Sequence, residues 1–134
     1  MKVGVKLLMI VVASWALLVP LSDSILFASV GHWSAFFGLL VAGSCIVAAL
    51  PAFITVTRVV WITSLGLLTL AAVSGFVHHF DAGDCDVLPF EWLNRYWIQA
   101  IPLLVLSIAL RIYRVKMTAE PLAGANRRPA TGQR

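Results

Sequence analysis

The sequence predicts an all-α membrane protein, a four-transmembrane-helix antiparallel bundle whose helices run up-down-up-down. Three observations lead to this fold class: the composition, four long apolar segments, and the sidedness of the charged residues. Of the 134 residues, 60% are hydrophobic and only 12% are charged. Soluble domains are roughly half apolar and about a quarter charged. The surplus of apolar surface therefore indicates a hydrocarbon solvent around the chain.

Four apolar segments are each long enough to cross a bilayer, which takes about 20 mostly apolar residues in a helix. Helices suit this role because they satisfy their backbone hydrogen bonds internally. We predict helices at approximately 5–27, 33–56, 59–80 and 92–113, all within one domain of residues 1–116. Short connections make sequence neighbours antiparallel. Residues 117–134 have few large apolar side chains and are predicted to form a disordered cytoplasmic tail.

The first segment begins like a secretory signal, because Lys2 and Lys6 precede an apolar run. That run is longer than the apolar part of a usual signal, and residues 28–30 make a poor cleavage site. We therefore expect the first helix to be retained.

The charged residues separate to the two sides of the predicted bundle. The basic side holds Lys2, Lys6, Arg58, Arg111, Arg114, Lys116, Arg127, Arg128 and Arg134, and the other side holds Arg95 with Asp23, Asp81, Asp84, Asp86 and Glu91. The positive-inside rule places the basic side and both termini in the cytoplasm. The prediction is a multi-pass protein of the plasma or inner membrane. Its net charge of +4 then reflects anchoring to the anionic leaflet and not a nucleic-acid partner.

Two stripes of small residues mark predicted contact faces between helices. Ser34, Gly38 and Ala42 recur every four residues on the second helix, and Ala71 and Gly75 do so on the third. Small residues allow close van der Waals approach, which drives helix association in lipid. The stripes predict packing within the chain, in a homo-oligomer, or in a larger membrane complex.

Three prolines interrupt the predicted helices. Each proline removes a backbone donor and clashes with the carbonyl four residues earlier. Pro51 and Pro102 fall away from the predicted helix ends, so we expect kinks there.

Metal-ligating side chains gather on the predicted outer side. His78 and His79 end the third helix, Asp81 and Cys85 follow it, and His32 starts the second helix at the same depth. Imidazole, thiolate and carboxylate groups bind zinc, copper or iron, and histidines can be axial haem ligands. No HxxxH or CxxC spacing is present, and outer loops are polar in any case. A transition-metal or haem site and a solvated polar rim both remain open.

Asp23 is the strongest single candidate for a functional residue, since apolar residues flank it on both sides. A carboxylate inside a bilayer costs about 2.5 to 3.5 kcal/mol on insertion scales at the helix centre. Such a residue is expected to face the bundle or an aqueous dip, with His32 or Arg95 as partner. It is a proton or cation site, a hydrogen-bonded acid near the headgroups, or a residue beyond an early helix end at Pro20.

Three functions are compatible with these features. The favoured one is a non-enzymatic accessory or scaffold component that packs with itself or with larger membrane partners, because no catalytic spacing is present. The first alternative is an outer-face metal, haem or quinone redox protein that uses His32, His78 and His79. The second is a small transporter or channel subunit that uses Asp23. Four-helix families with membrane cysteine pairs or a first-helix glutamate do not match, so no resemblance is assigned.

Overall fold

The computed structural model describes residues 3–80 and 95–125, with side chains described for 3–77 and 95–116. Within these residues the chain is helical, with no strand. The helices are α1 (Val3–Ser29), α2 (Ala35–Ala49), α3 (Arg58–Phe80) and α4 (Trp97–Ala125), and a 3-10 turn, Leu50–Ala52, follows α2. Four helical segments are long and apolar enough to cross a membrane. The prediction of an all-helical chain with four such segments is confirmed.

The end of α1 is a glycine-terminated helix cap. Gly31 has a φ of 73°, a left-handed conformation that glycine adopts without a Cβ penalty. The His32 N–H donates to the Phe27 carbonyl at 2.8 Å, and the Gly31 N–H donates to the Ala28 carbonyl at 3.0 Å. These two bonds form a Schellman motif, which satisfies carbonyls that the helix end leaves open. The cap turns the chain into α2.

Pro51 ends α2 rather than kinking it. The expected helix over 33–56 stops being α-helical at Ala49 and continues as the 3-10 turn Leu50–Ala52. The proline ring clashes with the carbonyl four residues earlier and supplies no N–H. The Phe53 N–H instead donates to the Leu50 carbonyl at 2.9 Å. The kink predicted at Pro51 was therefore wrong.

The fourth helix extends further than its composition predicts. It runs from Trp97 to Ala125, so the beginning of the expected disordered tail 117–134 is helical. The extension contains alanine, leucine and glutamate, which are good helix formers, but also Pro121 and Gly124, which are the poorest. Helix propensity therefore does not account for it. Residues 126–134 and 92–94 lie outside the described residues.

The core is built largely from small side chains. Ala16, Ala48, Ala52 and Ala71 are each fully buried, together with the larger side chains of Met9, Leu68, Leu103 and Tyr96. Small residues allow backbones to approach closely, so van der Waals contact can hold the bundle.

Both predicted small-residue stripes lie at helix interfaces, which confirms that prediction. Ser34, Gly38 and Ala42 are buried on α2, and Ala71 and Gly75 are buried on α3. A Cβ at Gly38 would lie 2.8 Å from the Pro20 carbonyl oxygen and closer still to the Ser24 hydroxyl. A Cβ at Gly75 would collide with the Trp97 side chain.

Contacts between the helices define two ends of the bundle. We call the region around Asp23, Gly38, Gly75 and Arg95–Trp97 the Asp23 end. We call the region around Ala48, Trp61 and residues 107–116 the Trp61 end.

Candidate functional site

The Asp23 end carries an ion pair between Asp23 of α1 and Arg95, which lies two residues before the start of α4. Arg95 Nη1 lies 3.8 Å from Asp23 Oδ2, and the Tyr96 hydroxyl donates to the same oxygen at 3.4 Å. Tyr96 is buried, with 2% of its surface exposed. Of the two predicted partners for Asp23, Arg95 is therefore the one that the described contacts bring to it.

This ion pair is long and partly solvated. The Asp23 side chain is 20% exposed and the Arg95 side chain 52% exposed. Ion pairs between exposed side chains contribute about 0 to 1 kcal/mol, because solvent screens the charges and ordering long side chains costs entropy. Asp23 is thus joined to α4 by a weak pair and one long hydrogen bond.

His32 lies in the turn between α1 and α2 and is held there by Ser34. Its Nδ1 is 2.7 Å from the Ser34 hydroxyl and accepts the Ser34 backbone N–H at 3.3 Å. The ring also packs against Phe27 and Trp33, with centroid distances of 5.9 and 6.0 Å. Ser34 therefore contacts Nδ1 through both its hydroxyl and its backbone N–H, and fixes the orientation of the ring.

Of the predicted metal ligands, His32 is the one whose side chain the structure describes. Within the described residues no group of three or more His, Cys, Asp or Glu side chains is placed to hold a metal ion. His78 and His79 lie in the last turn of α3, but their side chains, like Asp81 and Cys85, fall outside the described part of the chain. The metal or haem site therefore stays a prediction.

The Trp61 end contains a chain of buried hydrogen bonds that joins three helices. Trp61 Nε1 on α3 donates to the Ser107 hydroxyl on α4 at 3.1 Å. That hydroxyl donates to the Ala48 carbonyl on α2 at 2.7 Å. Ser107 is fully buried and Trp61 is 8% exposed. The hydroxyl uses both its donor and its acceptor capacity, so it acts as a bridge.

Two arginines of α4 make further contacts at the Trp61 end. The Arg111 guanidinium carbon lies 4.3 Å from the centroid of the Trp61 ring, within cation–π distance. Arg114 Nη1 donates to the Ile54 carbonyl at 3.5 Å. A cavity of about 170 Å³ lies between residues 51–56 and these two arginines.

A third contact between helices satisfies a backbone carbonyl that Pro20 leaves without a donor in α1. Pro20 has no N–H, so the carbonyl of Ala16 lacks its usual helical donor. The Cys45 thiol of α2 donates to that carbonyl at 3.8 Å. Cys45 is a free, buried cysteine, and the sulfur is a weak donor. The contact gives Cys45 a packing role that its apolar surroundings alone do not reveal.

The seam between α1 and α4 contains an apolar cavity. It has a volume of about 310 Å³ and lies between residues 5–9 and 106–113. Nearer the Asp23 end, the side-chain oxygen of Gln99 is buried without a hydrogen-bond partner among the described residues. Gln99 lies about one helical turn after Tyr96 and therefore on a similar side of α4.

Comparisons with known protein families, with curated proteins and with solved structures give no match. The contacts of the chain's own residues are therefore the basis for assigning roles.

The buried polar groups of Ser107 and Gln99 and the packing role of Cys45 were not predicted from the sequence. A serine or cysteine within an apolar helix has no sequence signal that distinguishes an interhelical bond from a bond to its own helix. Ser44, for example, donates to the Leu40 carbonyl of α2 at 2.8 Å. The one available signal was Pro20, because a proline in a helix leaves a carbonyl that needs a donor.

Proposed function

We propose that the chain is a multi-pass membrane protein and acts as a non-enzymatic accessory or scaffold component. In this proposal the four helices run up-down-up-down, and both termini are cytoplasmic in the plasma or inner membrane. The contacts Asp23–Arg95 and Trp61–Ser107 support antiparallel neighbours, because each joins regions that such an order brings together. The sidedness of the lysines and arginines supports the orientation.

The observation that carries the scaffold role is the use of polar side chains between helices. Trp61 and Ser107 form a hydrogen-bond chain across three helices, and Asp23 is paired with Arg95 and Tyr96. These groups tie helix to helix within the bundle. A transport route needs polar groups that exchange partners with a substrate, so we assign Asp23 a structural role here.

Two glycines on the bundle surface support assembly with a partner. A Cβ at Gly43 of α2 or at Gly66 of α3 would meet nothing within 4 Å. Glycines facing lipid leave shallow depressions where another helix can approach closely. The partner in this proposal is a second copy or a larger membrane protein.

Isolation of the tagged chain from its native membranes in a mild detergent tests this role. We expect a second copy or a stoichiometric membrane partner to be retained. Gly43→Leu and Gly66→Leu are expected to reduce its recovery about fivefold, because leucine fills the depressions. Gly4→Leu is the matched control, since that position is also open but lies at the start of α1.

Two results would overturn the proposal. One is a stable monomer that carries a bound chromophore or metal, which would favour the redox alternative. The other is ion flux in liposomes that Asp23→Asn abolishes, which would favour the transporter alternative. Cysteine-accessibility labelling of residues added at each terminus tests the orientation separately, because it reports the side of the membrane and not the partner.

A further inference from the structure

We propose that the cavity at the Trp61 end binds the phosphate group of an anionic phospholipid. This inference rests on the membrane insertion proposed above and adds a specific ligand to it. The cavity has a volume of about 170 Å³ and lies between the turn that follows α2 and the last apolar part of α4. Arg111 and Arg114 line one wall, and Pro51, Ile54 and Val56 line the other.

Arg111 is held in place by the buried chain described above. The Ala48 carbonyl accepts from Ser107, and Ser107 accepts from the Trp61 indole, which orients the ring beneath the guanidinium group. A guanidinium group whose face rests on an aromatic ring presents its N–H groups outward in its own plane. That planar set of donors matches two oxygens of one phosphate.

Arg114 provides the second cation on the same wall. It follows Arg111 by three residues, so the two side chains share one face of α4. Its hydrogen bond to the Ile54 carbonyl, at 3.5 Å, ties it to the opposite side of the cavity. Two like charges in one small cavity repel each other, and a bound anion would relieve that repulsion.

The surroundings favour a lipid over a free anion. Apart from Thr55, the cavity wall opposite the arginines is apolar, as suits the glycerol and upper acyl region of a phospholipid. Basic pockets between transmembrane helices bind anionic headgroups in this manner.

Native mass spectrometry of the full chain tests the site. The protein is reconstituted in vesicles of equal parts phosphatidylglycerol and phosphatidylcholine, extracted, and the retained lipids are counted. We expect one phosphatidylglycerol to be retained in preference to phosphatidylcholine. Combined Arg111→Gln and Arg114→Gln should lower that preference about tenfold, as the loss of two charge-assisted contacts predicts.

The matched control removes the same charge from the same end. Arg58 and Lys116 are both exposed and neither lines the cavity. Combined Arg58→Gln and Lys116→Gln should change the preference less than about twofold. Circular dichroism of each variant checks that the helices are intact.

Several outcomes would overturn the lipid site. Equal losses in both double variants would indicate a diffuse basic surface, and no loss in either would exclude the cavity. Displacement of phosphatidylglycerol by excess inorganic phosphate would make free phosphate the ligand, and a bound acidic protein chain would replace the lipid as occupant. These results leave the scaffold proposal intact. That proposal is tested separately, by recovery of a partner, by a bound chromophore or metal, and by ion flux in liposomes.

Discussion

Different kinds of polar contact connect the helices at the two ends of the bundle. At the Asp23 end, formal charges meet at 3.8 Å, and the arginine side chain is half exposed. At the Trp61 end, neutral groups meet at 3.1 and 2.7 Å, and the central hydroxyl is fully buried. The Asp23 contacts reach from α1 to Arg95 and Tyr96, while the Ser107 hydroxyl connects α2, α3 and α4.

The comparison shows that formal charge is a poor guide to what holds this bundle together. A solvated ion pair loses most of its Coulomb energy to screening. A buried neutral hydrogen bond is modest in net energy, but breaking it leaves a desolvated group that has no partner. The Asp23 end depends instead on close packing, because Gly38 and Gly75 bring neighbouring side chains against the helix backbones.

The largest expected effect tests that packing. Gly38→Leu should lower the free energy of unfolding in detergent by about 3 kcal/mol, at the upper end of what overpacking costs. The added side chain meets the Pro20 carbonyl and the Ser24 hydroxyl, and backbone cannot easily move aside. Gly4→Leu is the control and should change stability little, because its surroundings are open and it lies outside the proposed partner surface. Equal effects at both positions would contradict this account of the Asp23 end.

The second-largest loss of stability is expected at the Trp61 end. Ser107→Ala should cost about 1 to 2 kcal/mol, since it leaves the Trp61 indole N–H and the Ala48 carbonyl unpaired. Ser22→Ala removes an exposed hydroxyl that bonds to the Val19 carbonyl of its own helix, and should cost less than about 0.5 kcal/mol. Denaturant titration followed by circular dichroism measures both. A loss no larger for Ser107→Ala than for the control would remove the basis of the comparison.

The smallest effect is expected at the ion pair. Asp23→Asn should cost less than about 1 kcal/mol, because the amide oxygen can still accept from Tyr96 and the pair with Arg95 is solvated. Raising the salt concentration should reduce the difference between wild type and variant. A loss greater than that of Ser107→Ala would reverse the ranking of the two ends.

The candidate sites were predictable to different degrees. Charge marks Asp23 and Arg95 in the sequence, and their pairing was among the predicted possibilities. Ser107 carries no such mark, because a serine in an apolar helix can bond to its own backbone or across to a neighbour. The tail shows a similar limit: composition predicts disorder from residue 117, yet α4 continues to Ala125. Pro121 and Gly124 lie within that extension and are poor helix formers, so propensity does not explain it. Extending an existing helix does avoid the cost of forming a new nucleus.

The sequence by itself determined the four apolar segments, the all-helical class and the small-residue contact faces. These features follow from length, hydrophobicity and periodicity, which are local properties of each segment. Only the tertiary structure decided that Pro51 ends α2, that Cys45 meets the open carbonyl of Ala16, and that Trp61 and Ser107 join three helices. Such pairings depend on how each helix is rotated and shifted against its neighbours. That register is set by the packing of the whole bundle, and no single segment encodes it.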